Sequence, residues 1–392
     1  MAVSRVPTKT ARAKKTHPRK QQASRSDQVT LFLAGDVMIG RGIDQVLPHP
    51  GDPRLHESYA ASAAYHVSVA EAANGPIPRP VDYPYVWGHA LAELDRRKPD
   101  LRLINLETAI TKSGEPEPKG INYRMSPENS PVLTAAGVDC CILANNHVLD
   151  WGQSGLVETL ETLESIGVKG TGAGRNLQAA AGPAILSAPG GRVIVFALAS
   201  PTSGAHHAWA ATEHRPGVYL LPDLSRERAA KIASRIRALK RAGDIVIISL
   251  RWGRNWGYEI SDQQTAFAHR LIDDADTDVV WGHSSHHPKA IEVHNGKLIL
   301  YGCGDFLDDY EGINGYEHFR DDLVLMYFPT IRLSNGTLNR LTMVPLQIRN
   351  FRLKRASRTD ATWLCDVLNR EGEKVGTRVW QARDNSLTLE WE

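Results

Sequence analysis

Cysteine is scarce in this chain, with four in 392 residues, two of them adjacent at Cys140 and Cys141. Such a set is no disulfide framework, and the thiols read as reduced core residues of a cytosolic protein. No apolar run approaches the ~20 residues that span a bilayer. The N-terminal segment has no apolar centre of the kind a secretory signal needs. An excess of one charge is missing as well: the formal net charge is +2, with 46 Lys and Arg against 44 Asp and Glu. That balance gives no electrostatic argument for nucleic acid, and no nucleic-acid or membrane partner is expected. No internal repeat is evident. What local excess exists sits in residues 1–28, where eight Lys and Arg face one acidic residue, Asp27. So little apolar surface cannot offset the entropy of ordering, so this tail is expected to be disordered.

What is present is an alternation of short apolar runs, each followed at once by polar residues. The central case is Cys140-Cys141-Ile142-Leu143-Ala144, a buried strand that delivers Asn145-Asn146-His147 and then Asp150. Polar groups at the carboxyl end of a strand are the usual place for a site in an open α/β sheet. Asn146 can ligate a metal through its carbonyl oxygen, His147 can ligate or move protons, and Asp150 can fix the His147 tautomer. The same pattern recurs four times: Val29 to Ala34 ends in Gly35-Asp36, and Leu101 to Ile104 ends in Asn105-Leu106-Glu107. Ile245 to Leu250 ends in Arg251-Trp252-Gly253, and Asp278 to Trp281 ends in Gly282-His283-Ser284-Ser285-His286-His287. Three imidazoles within five residues after a strand are hard to explain structurally, and a turn can aim His283 and His286 at one centre. Carboxylate, Asn and His together suit Mn, Fe, Zn or Ca rather than a thiolate zinc site. Arg124 could hold a substrate anion or pair with a nearby acid. His56 and His66, in the Pro- and Gly-rich stretch from Leu47 to Pro84, read as surface residues, and Gly170 to Gly174 as a tight turn. Helices are expected at Val86 to Arg97, 153–166, Leu224 to Arg241, 261–275 and 360–370, with further strands at Val193 to Ala199, 322–328, 341–348 and 386–391.

Taken in order, Gly-Asp-Val-Met, Asn-Leu-Glu, Ala-Asn-Asn-His-x-Leu-Asp-x-Gly, x-Trp-Gly, Gly-His-x-x-His and Tyr-x-x-Gly-Asp-Phe resemble the CapA family of poly-γ-glutamate capsule synthesis. That family is a branch of the calcineurin-like metallophosphoesterase fold. The resemblance covers residues 29–310 and implies an α/β two-sheet sandwich. It implies a catalytic domain over 29–320, completed by accessory strands and a helix over 321–392. It further implies one or two divalent metal ions, one held by Asp36, Glu107 and His286 and another by Glu107, Asn146 and His283, with His147 as the acid/base. Two positions depart from the pattern: Met38 stands where phosphoesterases of this fold carry a His, and Arg251 where x-Trp-Gly usually begins with a His ligand. Arginine stays protonated and cannot ligate, but it holds a carboxylate or phosphate bidentately. Arg251, with Trp252 and Arg124, is therefore expected to contact substrate.

A ligand-poor site of this kind favours acid/base chemistry on a peptide, such as inversion of an α-carbon as in the lasso-peptide epimerases that the family includes. His147, Asp36 and His318 are the candidate proton carriers, with Asp150 as the catalytic residue that orients His147. The alternatives are hydrolysis of a γ-glutamyl or peptide amide or a phosphoester, and a non-catalytic role in polymer assembly. The expected partner is a peptide or polyglutamyl chain.

Overall fold

The first strand begins at Gln28 and runs to Val37, so the fold starts inside the last residues of the basic segment. The computed structural model describes Met1, residues 27–313 and residues 315–392, and the tail over residues 2–26 lies outside them. In the first strand Val29, Leu31 and Leu33 belong to one apolar cluster and Phe32 and Ala34 to another. Successive side chains on a strand point to opposite faces, so a strand apolar at every position is buried on both. This strand lies in a ten-stranded mixed sheet. It pairs in parallel with Leu101–Leu106, which pairs in parallel with Cys140–Ile142.

On its other side Gln28–Val37 pairs antiparallel with Leu323–Arg332, which leads on to Leu338–Ile348. The C-terminal segment thus continues the sheet that carries the site. A second sheet of six strands includes Gly191–Ala199, Ile245–Arg251, Val279–His283 and the hairpin Ile291–His294/Lys297–Leu300.

The two sheets pack face to face. Val29, Leu31, Leu33, Leu103 and Ile142 from the first meet Val193, Val195, Ile247, Val279 and Trp281 from the second. The outer face of the second sheet, with Ile194, Phe196 and Ile248, is covered by the helices Arg226–Leu239 and Asp262–Asp273. The outer face of the first is covered by His89–Arg97 and neighbouring helices through Trp87, Ala90 and Leu94. The result is the expected two-sheet α/β sandwich, with helices on both outer faces and the helix Arg358–Gly372 packed on the inner cluster through Leu364, Cys365 and Leu368. Truncating Leu33 or Leu103 to Ala at that interface costs about 2–5 kcal/mol.

Several local expectations are corrected. The helix expected over Val86 to Arg97 is broken at Gly88, whose φ of 46° lets the chain turn between Pro84–Trp87 and His89–Arg97. His66 is fully buried rather than on the surface, because it packs against Glu57 and Asp309. The strands Ala184–Ala188 and Thr377–Gln381 were not expected, since their exposed alternate residues dilute the apolar signal. All four cysteines are buried and free. No described helix is long and apolar enough to cross a membrane.

Candidate active site

The polar tips of both sheets meet at one end of the sandwich. In the first sheet Asp36 is in register with Asn105 on one side and with Asp305 on the other. In the second, Arg251 is in register with His283. Gly35 lets the neighbouring strand come this close: a Cβ there would lie 1.9 Å from the Gly304 carbonyl oxygen. After His283 the chain turns through Ser284 at φ 105°, a conformation that costs a non-glycine residue on the order of 1–3 kcal/mol. The Ser284 hydroxyl donates to the Gly253 carbonyl at 3.1 Å, which helps hold that turn.

At the floor of the site lies the Arg251 guanidinium. Its Nη1 donates to Asp36 Oδ2 at 2.8 Å and to Glu107 Oε2 at 2.5 Å, and its Nη2 to Glu107 Oε1 at 2.6 Å. All three side chains are at most 3% exposed. One buried cation between two carboxylates leaves one excess negative charge, and the pair divides it unequally. Burial opposes ionisation of Asp36, but Arg251 and hydrogen bonds hold its carboxyl well below the usual range. Those hydrogen bonds come from Glu107 and His283, and Asn105 Nδ2 also donates to Asp36 Oδ1 at 2.7 Å. Burial, reinforced by the Asp36 charge, pushes Glu107 well above its usual value against the pull of Arg251.

This arrangement does not fit two metal ions sharing Glu107. The position between Asp36 and Glu107 is filled by a guanidinium that already uses both carboxylates. Asp36, Glu107, His283 and His286 do not bring three ligand atoms within 4.8 Å of one another. Two buried donor atoms do remain without a hydrogen-bond partner, Nε2 of His283 and Oδ1 of Asn146. His283 Nδ1 stands 3.3 Å from Asp36 Oδ1.

Two histidine–aspartate pairs flank Arg251. His147 Nδ1 lies 2.7 Å from Asp150 Oδ2. Asp150 also accepts from Lys119 Nζ at 2.7 Å and from the Tyr123 backbone N–H at 2.6 Å. With Asp150 accepting from those donors, its contact with His147 places the ring proton on Nδ1 and leaves Nε2 with the lone pair. That Nε2 lies 3.8 Å from Glu107 Oε1. Tyr123 stacks on the ring at 3.9 Å, and its hydroxyl is 2.7 Å from that of Tyr310. Burial depresses the His147 pKa to about 3 despite Asp150, so the ring is neutral at ordinary pH. The second pair is His286 Nδ1 with Asp305, 3.0 Å from each carboxylate oxygen. Burial lowers the His286 pKa, but Asp305 more than offsets it and the net shift is upward.

Both pairs border a cavity of about 360 Å³, with Arg251 and Glu107 at its base and Tyr59, Tyr123, Trp256, Tyr310 and Tyr316 in its walls. Trp256 and Tyr316 stack at 3.9 Å with 3° between their planes.

The structure thus brings Glu107, Asn146, His147, Arg251 and His286 to one cavity, with Asp36, His283 and Asp150 directly behind them. Three expected residues are elsewhere. Trp252 is a core residue, 2% exposed, whose indole N–H donates to the Tyr301 carbonyl at 3.1 Å. Arg124 lies 3.7 Å over the Trp151 ring, in a separate groove with Asp52 and Arg54. His318 is exposed, stacks on Phe319 and does not line the cavity. Asp36 as a proton carrier is corrected too, since both its oxygens are spent on Arg251 and Asn105. Lys119, Tyr123, Tyr310 and Trp256 were missed. Lys119 and Tyr123 lie on a segment without a strand-end pattern, while Trp256 and Tyr310 stand several residues beyond the ends of Ile245–Arg251 and Asp305–Leu307, where that pattern singles out no side chain. Asp305 was visible in Gly-Asp-Phe but had no role until His286 was placed beside it.

Residues 30–310 match the family described as bacterial capsule synthesis protein PGA_cap. A probable polyglutamine synthesis accessory protein of Mycobacterium tuberculosis is 49% identical over 370 residues, covering 94% of this chain and 97% of that protein. The PGA biosynthesis protein CapA of Bacillus subtilis is 26% identical over 384 residues, covering 96% of this chain and 86% of its own. A crystal structure of a phosphatase from Mycoplasma pneumoniae aligns with TM-score 0.45 and 11% identity, over 84% of this chain and 95% of that one. At that level the last likeness carries no weight for the reaction. The chain belongs to the bacterial capsule synthesis protein family.

Proposed function

We propose that this member of the capsule synthesis family acts on a peptide or polyglutamyl chain by moving an α-proton, inverting a Cα centre rather than cleaving the chain. The observation that carries this reading is the placing of two histidine–aspartate pairs on one cavity around a fixed guanidinium. Groups whose surroundings push their proton affinities apart are the usual assignment for base and acid. His147, neutral and with its Nε2 lone pair free, takes the proton from Cα. The C–H electron pair moves into the adjacent carbonyl, whose oxygen becomes an oxyanion. Arg251 has five N–H protons, of which its carboxylates take three, so an Nη2 proton remains to receive that oxygen. His286 then gives the proton of its Nε2, which faces the Asn255 side-chain amide at 3.1 Å while Nδ1 stays on Asp305, to the opposite face of Cα, completing the inversion. Lys119 and Asp150 hold the His147 ring in place while its charge changes. A single divalent ion would be held by His283 and Asn146 and would supply Lewis acidity toward a carbonyl oxygen.

A second reading, binding without chemistry, is favoured by the relatives' description as accessory proteins and by the exposed rim of the cavity. Tyr59, Ile121, Ile313 and Tyr316 are 36–51% exposed there. Incubation with α- and γ-linked oligoglutamate in deuterated water separates the readings. Proton transfer adds one mass unit per event without cleavage. Hydrolysis splits the chain, and binding alone leaves it unchanged.

A further inference from the structure

The end of the sandwich away from the cavity carries a second constellation that the reaction does not use. The helix Asp262–Asp273 is fixed at its start by a capping box between Ser261 and Gln264. It presents His269 and Asp273, four residues apart and so on one face. Opposite, the edge strand Ile291–His294 presents Glu292 and His294, two residues apart and so on one side of the sheet. One ligand atom from each of His269, Glu292 and His294 lies within 4.8 Å of the others, the one such group among the described residues.

The surrounding bonds hold these groups at each other. His269 Nε2 is 2.8 Å from Glu292 Oε1, while the Tyr301 hydroxyl donates to Glu292 Oε2 at 2.7 Å and fixes that carboxylate. His294 Nε2 is 3.0 Å and 3.1 Å from the two oxygens of Asp273, and Asn295 donates to Asp273 at 2.8 Å. The imidazoles of His269 and His294 stack at 3.8 Å, 4° from parallel.

We propose that His269, Glu292 and His294 form a binding site for a divalent transition-metal ion of the zinc class, with Asp273 as fourth ligand or as the carboxylate that orients His294. Two imidazoles and one or two carboxylates are a borderline donor set that suits zinc and disfavours magnesium or calcium. Zinc–ligand distances of about 2.0–2.1 Å put tetrahedral ligand atoms roughly 3.3 Å apart. The ligand atoms already lie within 4.8 Å, and to aim both lone pairs at one ion the stacked rings must swing out of parallel, which their partial exposure permits. The ion would tie the helix to an edge strand, the part of a sheet most in need of cover. This site is separate from the cavity. His294 is in register with Lys297 at the end where Val279–His283 begins, and His283 lies at the end where that strand finishes. The inference does not rest on the proposed reaction.

The test uses the full chain and zinc alone, by calorimetric titration, by metal analysis after dialysis and by melting with and without zinc. Cobalt gives a visible spectrum for tetrahedral coordination. Wild type is expected to bind zinc and to melt at higher temperature with it. His269→Gln and His294→Gln, made singly, should keep the zinc-free melting temperature but lose affinity more than ~100-fold, beyond the effect of removing an outer-shell partner. His283→Ala, which removes the donor proposed for an ion in the cavity, should keep the zinc-dependent rise, and adding His269→Gln or His294→Gln in that background should abolish it. Absence of zinc binding in the His283→Ala chain, or binding that both glutamine variants retain in that background, would overturn the proposal.

Discussion

Arg251 and Glu107 form a bidentate pair, Nη1 to Oε2 at 2.5 Å and Nη2 to Oε1 at 2.6 Å, with neither side chain more than 2% exposed. The same guanidinium reaches Asp36, so one residue from the second sheet closes the ends of two strands of the first. A fixed organic cation thus holds the ground where a bridging ion would otherwise stand.

Replacing that cation should change metal content in a defined direction. Arg251→His removes the guanidinium and adds a donor beside two freed carboxylates. We expect more divalent metal per chain than in wild type, read by metal analysis after loading with manganese or zinc. Without metal the variant should lose about 3–5 kcal/mol of stability, the usual result of breaking a buried pair. Arg251→Lys keeps the charge but not the fork, so substrate binding should weaken with metal content unchanged. Metal content in Arg251→His no higher than in wild type would show that Arg251 is not what limits it.

His147 should matter for rate and little for folding. His147→Ala removes the free Nε2 but leaves Arg251, Asp36 and Glu107 paired. Turnover should fall on the order of 10²-fold or more, the scale of a lost general base. Zinc or manganese content should stay at the wild-type level. A parallel fall in metal content would make His147 a ligand instead.

Stability should depend on pH through the same residue. Folded His147 has its pKa lowered from 6.5 to about 3, so between these values the unfolded chain binds the extra proton. Stability is then full above about pH 6.5 and falls as pH drops toward 3. Denaturant titrations at pH 7, 6 and 5 should show the slope, and His147→Gln should make it shallower by about one proton. An unchanged slope in the variant would place the proton uptake elsewhere.

Much of this site was readable before any fold was known. Asp36, Glu107, Asn146, Arg251 and His283 each follow an apolar run, and strands buried on both faces write that pattern plainly. What could not be read was which tips face each other across the sandwich. The Arg251 pairing joins residues 144 and 215 positions apart, and no local spacing encodes that. For the same reason Trp252, next to Arg251, looked like a site residue: alternation along the strand sends it into the outer core among Phe267 and Tyr301. Lys119 and Tyr123 lie on an irregular segment, where neither period applies.

The two-base assignment makes the sharpest prediction. If His147 removes the α-proton and His286 returns one from the other face, the two variants fail differently. His147→Ala should stop both exchange and inversion of the starting epimer. His286→Gln should still let His147 take the proton and return a deuteron to the same face. That variant should wash deuterium into the substrate while its configuration is retained. Mass spectrometry reads the exchange, and chiral analysis of the hydrolysed residues reads the inversion. Starting from the opposite epimer, the two phenotypes should swap, because each histidine then serves the other face. Equal loss of exchange and inversion in both variants, from both epimers, would mean that one base does all the work and that His286 only shapes the cavity.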